Sequence, residues 1–356
     1  MQIQKISFNT SVKSCYSSKM NNKTGSQKSK VFSKPLEKST YYKANYLVPF
    51  TSLKMQASNR PNDYCDTFFY RDSYTLKKAA DILMNTFPEG TDIMDFACSN
   101  GEEAISFYSL INETPNSKYN FYCYDRCKKV IDLADTGIHT VYSLGSGDRF
   151  LIDRFAYDNN SRYLKERFNN TMEEINEPDL EINDSKFIHF MSSFPEFKIK
   201  YYKLKDEYKN LFEFENGDIH NIDTLGPEKA GAVFFRNAFY IPAENYALDE
   251  FDIKETESEV DKQEVVNEIV DKIYDKLLPG GILVLGNIIK DHIYLAGENV
   301  SNDEKIYVPG YGCYIYKNSP LHSSLEKNGR FKPVVYANAA QPFEDVEVPT
   351  VWQKVN

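Results

Sequence analysis

The stretch Ile93-Met94-Asp95-Phe96-Ala97-Cys98-Ser99-Asn100-Gly101-Glu102-Glu103-Ala104 decides how this chain folds. It reads as a short buried strand over Asp92–Ala97, a tight loop, and a helix over Glu102–Ile111. A loop that leaves a parallel strand and opens a helix points backbone N–H groups into the crevice at the strand's carboxyl end. A nucleoside ligand bound there needs close backbone approach, and Ala97, Ser99 and Gly101 are the small residues that allow it. A βα turn with the single Gly101 is equally what an ordinary turn looks like, so the segment alone supports both readings.

Asp125 adds to the first reading. It ends the next apolar run, Asn120–Tyr124, 24 residues after Gly101. A carboxylate at the end of the second strand can accept both ribose hydroxyls of a nucleoside. It also suits the N-cap of a helix over Lys128–Asp135. Further out, the apolar spacing predicts a helix over Tyr74–Phe87, with Leu76, Ala79, Ala80, Ile82, Leu83 and Phe87 on one face. Strands are expected at Phe212–Phe214, Ala232–Phe235 and Ile282–Leu285, and helices at Tyr202–Leu211 and Lys262–Leu278. Alternating strands and helices predict an α/β fold, a doubly wound, mostly parallel sheet with helices on both faces. Residues 148–200 are polar and broken by Pro178 and Pro195, and read as an insertion or cap. Residues 305–356 read as edge strands in a C-terminal extension.

Charge divides the chain unevenly. Residues 1–60 hold ten Lys and one Arg against Glu37, a net of +10 that leaves −20 for the rest of a chain whose total is −10. This Ser-, Lys- and Asn-rich segment has no apolar period and is expected to be a disordered tail. Its charge suits a weak anionic partner, but with a single Arg it offers phosphate attraction rather than specific nucleic-acid recognition. No run of 18 apolar residues predicts a membrane span. Cys15, Cys65, Cys98, Cys123, Cys127 and Cys313 form no zinc pattern, so reduced thiols, no metal and a cytoplasmic location are expected.

At this point the chain resembles the CheR-type chemotaxis-receptor methyltransferases, which methylate glutamate side chains with S-adenosylmethionine. Residues 97–103, Ala-Cys-Ser-Asn-Gly-Glu-Glu, are similar to that family's GCSTGEE loop, and residues 66–72, Asp-Thr-Phe-Phe-Tyr-Arg-Asp, to its ETYFFRD motif. Asp125 with Ala134–Ile138, the run from Tyr201 to Phe214, Phe235–Tyr240 and Leu278–Gly286 resemble four further motifs in the same order. The resemblance covers about residues 62–290. It implies a class I methyltransferase fold over 61–300 and S-adenosylmethionine as cofactor. Thr67, Ala97, Cys98, Gly101, Glu103, Asp125, Asn237 and Ala238 would contact that cofactor, with Asp218 and Ile219 near the adenine. Arg71 would face the acceptor's carboxylate at the methyl-transfer centre, with Tyr240 as a second catalytic candidate. A carboxylate is already a nucleophile at neutral pH, so such an enzyme mainly aligns it with the methyl and excludes water.

Several positions differ from the family. Ala97 stands at the loop's first Gly, a small change if its backbone lies in an ordinary region. Cys65 and Asp218 replace Asn, Ile241 falls where the family has its active-site Tyr, and Asn287-Ile288-Ile289 replaces H-S-E. The family's helical N-terminal docking part gives way to residues 1–60. Two readings remain open: a methyltransferase acting on an unidentified protein carboxylate or another oxygen nucleophile, and a cofactor-binding sensor or scaffold without catalysis.

Overall fold

The computed structural model describes residues 67, 69–111, 118–144, 149–150, 161–178, 197–239, 246–249, 252–255, 262–287, 292, 305–308, 313–316, 320–340 and 346–355. The basic segment 1–60, Cys65, Tyr240, Ile241 and residues 288–289 lie outside them. Helix α1 (Ser73–Thr86) precedes strand β1 (Asp92–Phe96), helix α2 (Glu102–Ile111), strand β2 (Asn120–Asp125) and helix α3 (Lys128–Thr136). Then come β3 (Ile138–Leu144), β4 (Arg149–Phe150), α4 (Ser161–Thr171), β5 (Met172–Ile175), β6 (Phe197–Leu204), β7 (Phe212–Asn216) and β8 (Ala230–Phe235). The strands β9 (Tyr246–Asp249) and β10 (Asp252–Glu255) pair with each other before helix α5 (Lys262–Lys276) and strand β11 (Leu277–Val284). The described chain ends with β12 (Lys305–Val308), β13 (Cys313–Tyr316), α6 (Pro320–Glu326), β14 (Phe331–Asn338) and β15 (Glu347–Lys354).

The main sheet runs β14-β15-β11-β8-β1-β2-β7. Strands β7, β2, β1, β8 and β11 are parallel neighbours, and the β14–β15 hairpin adds on antiparallel through β15. From β1 the chain winds outward to β2 and β7, then crosses to β8 and β11 on the other side, which makes the sheet doubly wound. Strand alternation sorts the core into two layers. Ile93 and Phe234 pack with Leu76, Leu83 and Phe107 of α1 and α2, while Met94, Val233 and Phe235 pack with Val266, Ile269 and Leu321 of α5 and α6. All six residues of β8 are buried, as expected for a strand covered on both faces.

Two expected boundaries are corrected. The run Tyr202–Leu211 is not a helix. Tyr202 and Leu204 are buried and continue β6, which pairs antiparallel with β3 and β5, and a short 3-10 turn over Asp206–Leu211 follows. Period-two burial between two partner strands outweighs the helix formers Lys205–Lys209. Helix α5 stops at Lys276, short of the expected Leu278, because Leu277 already pairs with Ala230. A register shift through Pro279-Gly280-Gly281 then realigns Ile282 with Ala232. Within the segment read as an insertion, β4, β5 and the start of β6 belong to a second sheet, β4-β3-β6-β5, that begins earlier, at Ile138, and α4 lies between β4 and β5 in the chain. Among the described residues no helix is long and apolar enough to cross a membrane.

A buried histidine pair stands against the reversed hairpin. His292 Nδ1 lies 3.0 Å from His322 Nε2, and His292 Nε2 lies 2.9 Å from the Gly286 carbonyl oxygen. Because a carbonyl only accepts, His292 donates from Nε2 and accepts at Nδ1 from His322. Burial pushes His292 down from 6.5 to about 4, opposed by the bond to Gly286. The unfolded chain takes up that proton first as pH falls, so this group's contribution to stability is lost from about pH 6.5 downward. Relative to His292→Gln, the wild-type advantage in denaturant unfolding should shrink by about 3 kcal/mol between pH 7 and pH 4. A difference that stays constant over that range would contradict the neutral buried imidazole.

Candidate functional site

Strands β1, β2, β7 and β8 end side by side: Phe96 pairs with Tyr124 and Phe235, and Asp125 with Asn216. The chain therefore leaves all four at one edge, through residues 97–101, 126–127, 217–219 and 236–239. That edge contains the point between β1 and β8 where the winding reverses, which is where open α/β sheets hold their ligands.

Asp125 ties the loops together. Its Oδ2 accepts from Ser99 N at 2.9 Å, and its Oδ1 from Cys127 N at 2.8 Å. Its carbonyl accepts from Gly217 N and from Asn216 Nδ2. The N-cap of α3 is Cys127, which makes no side-chain capping bond, so Asp125 does not fill the alternative role of helix cap. The Arg126 backbone N–H also favours the charged carboxylate, whose two oxygens still offer acceptor capacity for a ligand donor. Asp218 borders the same place. It caps the 3-10 turn Ile219–Asn221 through His220 N at 3.0 Å and pairs with Arg126 Nε at 2.9 Å, above the buried Ile219.

The loop's backbone overturns one expectation. Ala97 has φ +58°, not an ordinary value, and Ser99 (+54°) and Gly101 (+85°) are also left-handed. At Gly101 a Cβ would lie 2.7 Å from the Phe214 ring, so both conformation and space require glycine. Tyr70, Asp72 and Asn237 are left-handed too, and Asn328 alone among the described non-glycine cases lies away from this edge. Asn237 presses on the backbone of Gly286, where a Cβ would fall 2.0 Å from Asn237 Oδ1. Strained residues gathered this way are held by their surroundings, and such strain concentrates at ligand sites.

Beneath the loop lies a charge cluster in which Glu103 and Arg71 were expected at the site, but Asp72, Asp95 and Arg236 were not. Arg236 is buried, and its Nη1 binds Glu103 Oε2 at 2.5 Å. Its Nη2 donates to the Arg71 carbonyl at 2.9 Å and forms an ion pair with Asp72 at 3.5 Å without a hydrogen bond. Asp95 is 2% exposed, and neither of its oxygens has a hydrogen-bond partner. Burial, then the Glu103 charge, raises Asp95 well above the usual carboxylate range, and burial also raises Glu103, Asp72 and Asp125. Burial works against the charge of Arg236, but Glu103, Asp72 and Asp95 outweigh it. An acid inside the apolar run 93–96 and an arginine directly after Phe234-Phe235 were the available signals. Beside this cluster, Asn100 Nδ2 donates to Glu102 Oε1 at 3.1 Å, and buried His139 approaches that oxygen at 3.9 Å.

The remaining expected residues fall as follows. Thr67 and Ala238 are buried, Arg71 is half-buried over Glu103 and Asp72, and Asn237 is half-buried on the strand edge. Burial pushes the Cys98 thiol well up, so it stays protonated and is no nucleophile. Glu103 is held by Arg236. Tyr240 lies outside the described residues, so the catalytic pair Arg71–Tyr240 is represented by Arg71 alone.

This is the class I methyltransferase fold: doubly wound, mostly parallel, with an antiparallel last hairpin and helices on both faces. No family model matches the chain, and no curated protein matches it. Solved structures do. A SAM-dependent methyltransferase from Methanosarcina mazei is similar at 12% identity and TM-score 0.34, over 77% of this chain and 97% of that one. The N-methyltransferase NodS from Bradyrhizobium japonicum is similar at 9% identity and TM-score 0.35, over 80% and 97%. TrmN from Thermus thermophilus matches at 11% identity and TM-score 0.33 over 78% of this chain, which spans 48% of TrmN.

Two stability measurements test the site's construction. Relief of about 1–2 kcal/mol of left-handed strain offsets about 0.4–1 kcal/mol of unfolded-state entropy, so Ala97→Gly should be neutral or slightly stabilising. Ala104→Gly, in helix α2, should instead cost at least about 1 kcal/mol in the same denaturant titration. Equal losses would refute the strain at Ala97. Arg236→Met should cost about 3–5 kcal/mol by stranding Glu103 and Asp72, and adding Glu103→Gln should recover part of it.

Proposed function

We propose that the crevice binds S-adenosylmethionine and that the protein is a methyltransferase. One observation carries this reading: carboxylates at both ends of a glycine-floored loop at the winding reversal, Asp125 at the rim and Asp95 at the base. Dinucleotides place a pyrophosphate at the helix N-terminus after β1. In this chain that terminus carries Glu102 and Glu103, with Asp72 close by, carboxylates that disfavour a bound phosphate. A nucleoside that bears positive charge fits it. Asp125 is placed to accept ribose hydroxyls, Asp218 and Ile219 to border the base, and Asp95 to face the charged end.

S-adenosylmethionine supplies an electrophilic methyl group on a sulfonium. The chain's own residues bind and orient. Arg71, already beside Glu103 and Asp72, is positioned to grip one oxygen of an acceptor carboxylate while the other attacks. The ordered resemblance to CheR-type enzymes supports a carboxylate on a protein, or another oxygen nucleophile, as acceptor. An anionic partner for residues 1–60 and a cytoplasmic location belong to the same reading, supported by charge and by the free thiols Cys98, Cys123 and Cys127.

Titration calorimetry with S-adenosylhomocysteine should detect binding that Asp125→Ala weakens at least about tenfold, the loss of one or two ribose hydrogen bonds. No binding at millimolar ligand would end the proposal. Incubation with labelled S-adenosylmethionine and lysate should give base-labile protein label. Binding without any transfer would favour instead a sensor that kept the fold, a reading that the substitutions Ile241 and Asn287-Ile288-Ile289 support.

A further inference from the structure

The buried cluster at the base of the crevice has more acid than base. Asp72 comes from the turn before α1, Asp95 from β1, Glu103 from α2, and Asp125 from the end of β2. Against them stands Arg236 after β8, with Arg71 acting on Asp72 and Glu103. The thiols Cys98 and Cys123 also border Asp95, but burial keeps both protonated and uncharged. The guanidinium's hydrogen bonds go to Glu103 and the Arg71 carbonyl, and its Nε finds no acceptor. Asp95 receives no donor on either oxygen at 2% exposure.

An isolated, ionised carboxylate cannot be held in such a place, so it either keeps its proton or meets a cation. Glu103, Asp125 and Arg236 make hydrogen bonds that predate a ligand, and Asp72 accepts from Thr75 N on one oxygen. Asp95 is the one whose state a ligand can change.

We propose that Asp95 selects the ligand of this crevice by charge: the empty site holds a proton on Asp95, and a cationic ligand group takes its place. The inference rests on the crevice binding an adenosyl ligand, as proposed above. The exchange balances simply, since the Asp95 O–H bond breaks, the proton passes to solvent, and the carboxylate faces the incoming cation. Two groups of S-adenosylmethionine are cationic, the sulfonium and the ammonium. S-adenosylhomocysteine keeps only the ammonium, and 5′-methylthioadenosine has neither. In the empty protein the folded state holds a proton that the unfolded chain has lost above pH 4, so stability falls as pH rises, and a cationic ligand restores it.

The test is calorimetric binding of these three compounds to the full chain between pH 5 and pH 8, each in buffers of different ionisation enthalpy. S-adenosylmethionine should release about one proton, and its affinity should rise up to about tenfold per pH unit while Asp95 is protonated. The same release with S-adenosylhomocysteine identifies the ammonium as the exchanging group, and its absence there identifies the sulfonium. 5′-Methylthioadenosine should release none. Asp95→Asn should abolish the release and flatten the pH dependence. The wild-type proton count stands independently of whether that variant folds. S-adenosylmethionine binding that is independent of pH, with no proton released, overturns the charge exchange and leaves the cofactor reading intact. No binding by any of the three overturns both.

Discussion

Arg236 is the interaction on which the site depends. One guanidinium reaches Glu103 on α2, the carbonyl of Arg71 and the carboxylate of Asp72, so it joins the end of β8 to the turn before α1 and the start of α2. Buried ion pairs contribute little net stability, because desolvation consumes most of the attraction, yet removing one partner is costly. Their effect here is positional. Asp72 also caps α1 through Thr75 N, so the same cluster fixes where that helix starts. Tyr70 fastens the turn to α2, with its N–H on Ser106 Oγ and its hydroxyl 2.6 Å from Ser109 Oγ.

Above this base the sheet imposes a second constraint. Parallel strands that end in register send their loops out together, and close packing of those loops leaves little room for side chains. Phe214 of β7 closes on Gly101, and Asn237 closes on Gly286. The left-handed residues Ala97, Ser99 and Asn237 are the backbone's answer to that crowding. Asp125 then binds the crowded loops by accepting from two of them. The result is a rim and a base of carboxylates, held by hydrogen bonds that do not need a ligand.

Much of the scaffold was legible because its signals are local. The period of Leu76, Ala80 and Leu83 marks α1, and the apolar runs at Ile93, Phe121, Val233 and Leu283 mark strands buried on both faces. The place of Asp125 at the end of β2 was legible because it closes the apolar run Asn120–Tyr124. Tyr202–Leu204 was not, because a short polar-apolar alternation beside helix formers depends on which strands flank it. Here β3 and β5 do.

The sequence by itself determined the alternation of strands and helices, the small loop after β1, and the acidic excess of the body. Those follow from side-chain period and composition, which act over a few residues. Only the tertiary structure decided that Asp95 lacks a donor, that Arg236 binds Glu103 rather than solvent, and that Ala97 is left-handed. The Arg236 that binds Glu103 and the Phe214 ring that crowds Gly101 each lie more than a hundred positions away in the chain. Such distances close only when the sheet is wound.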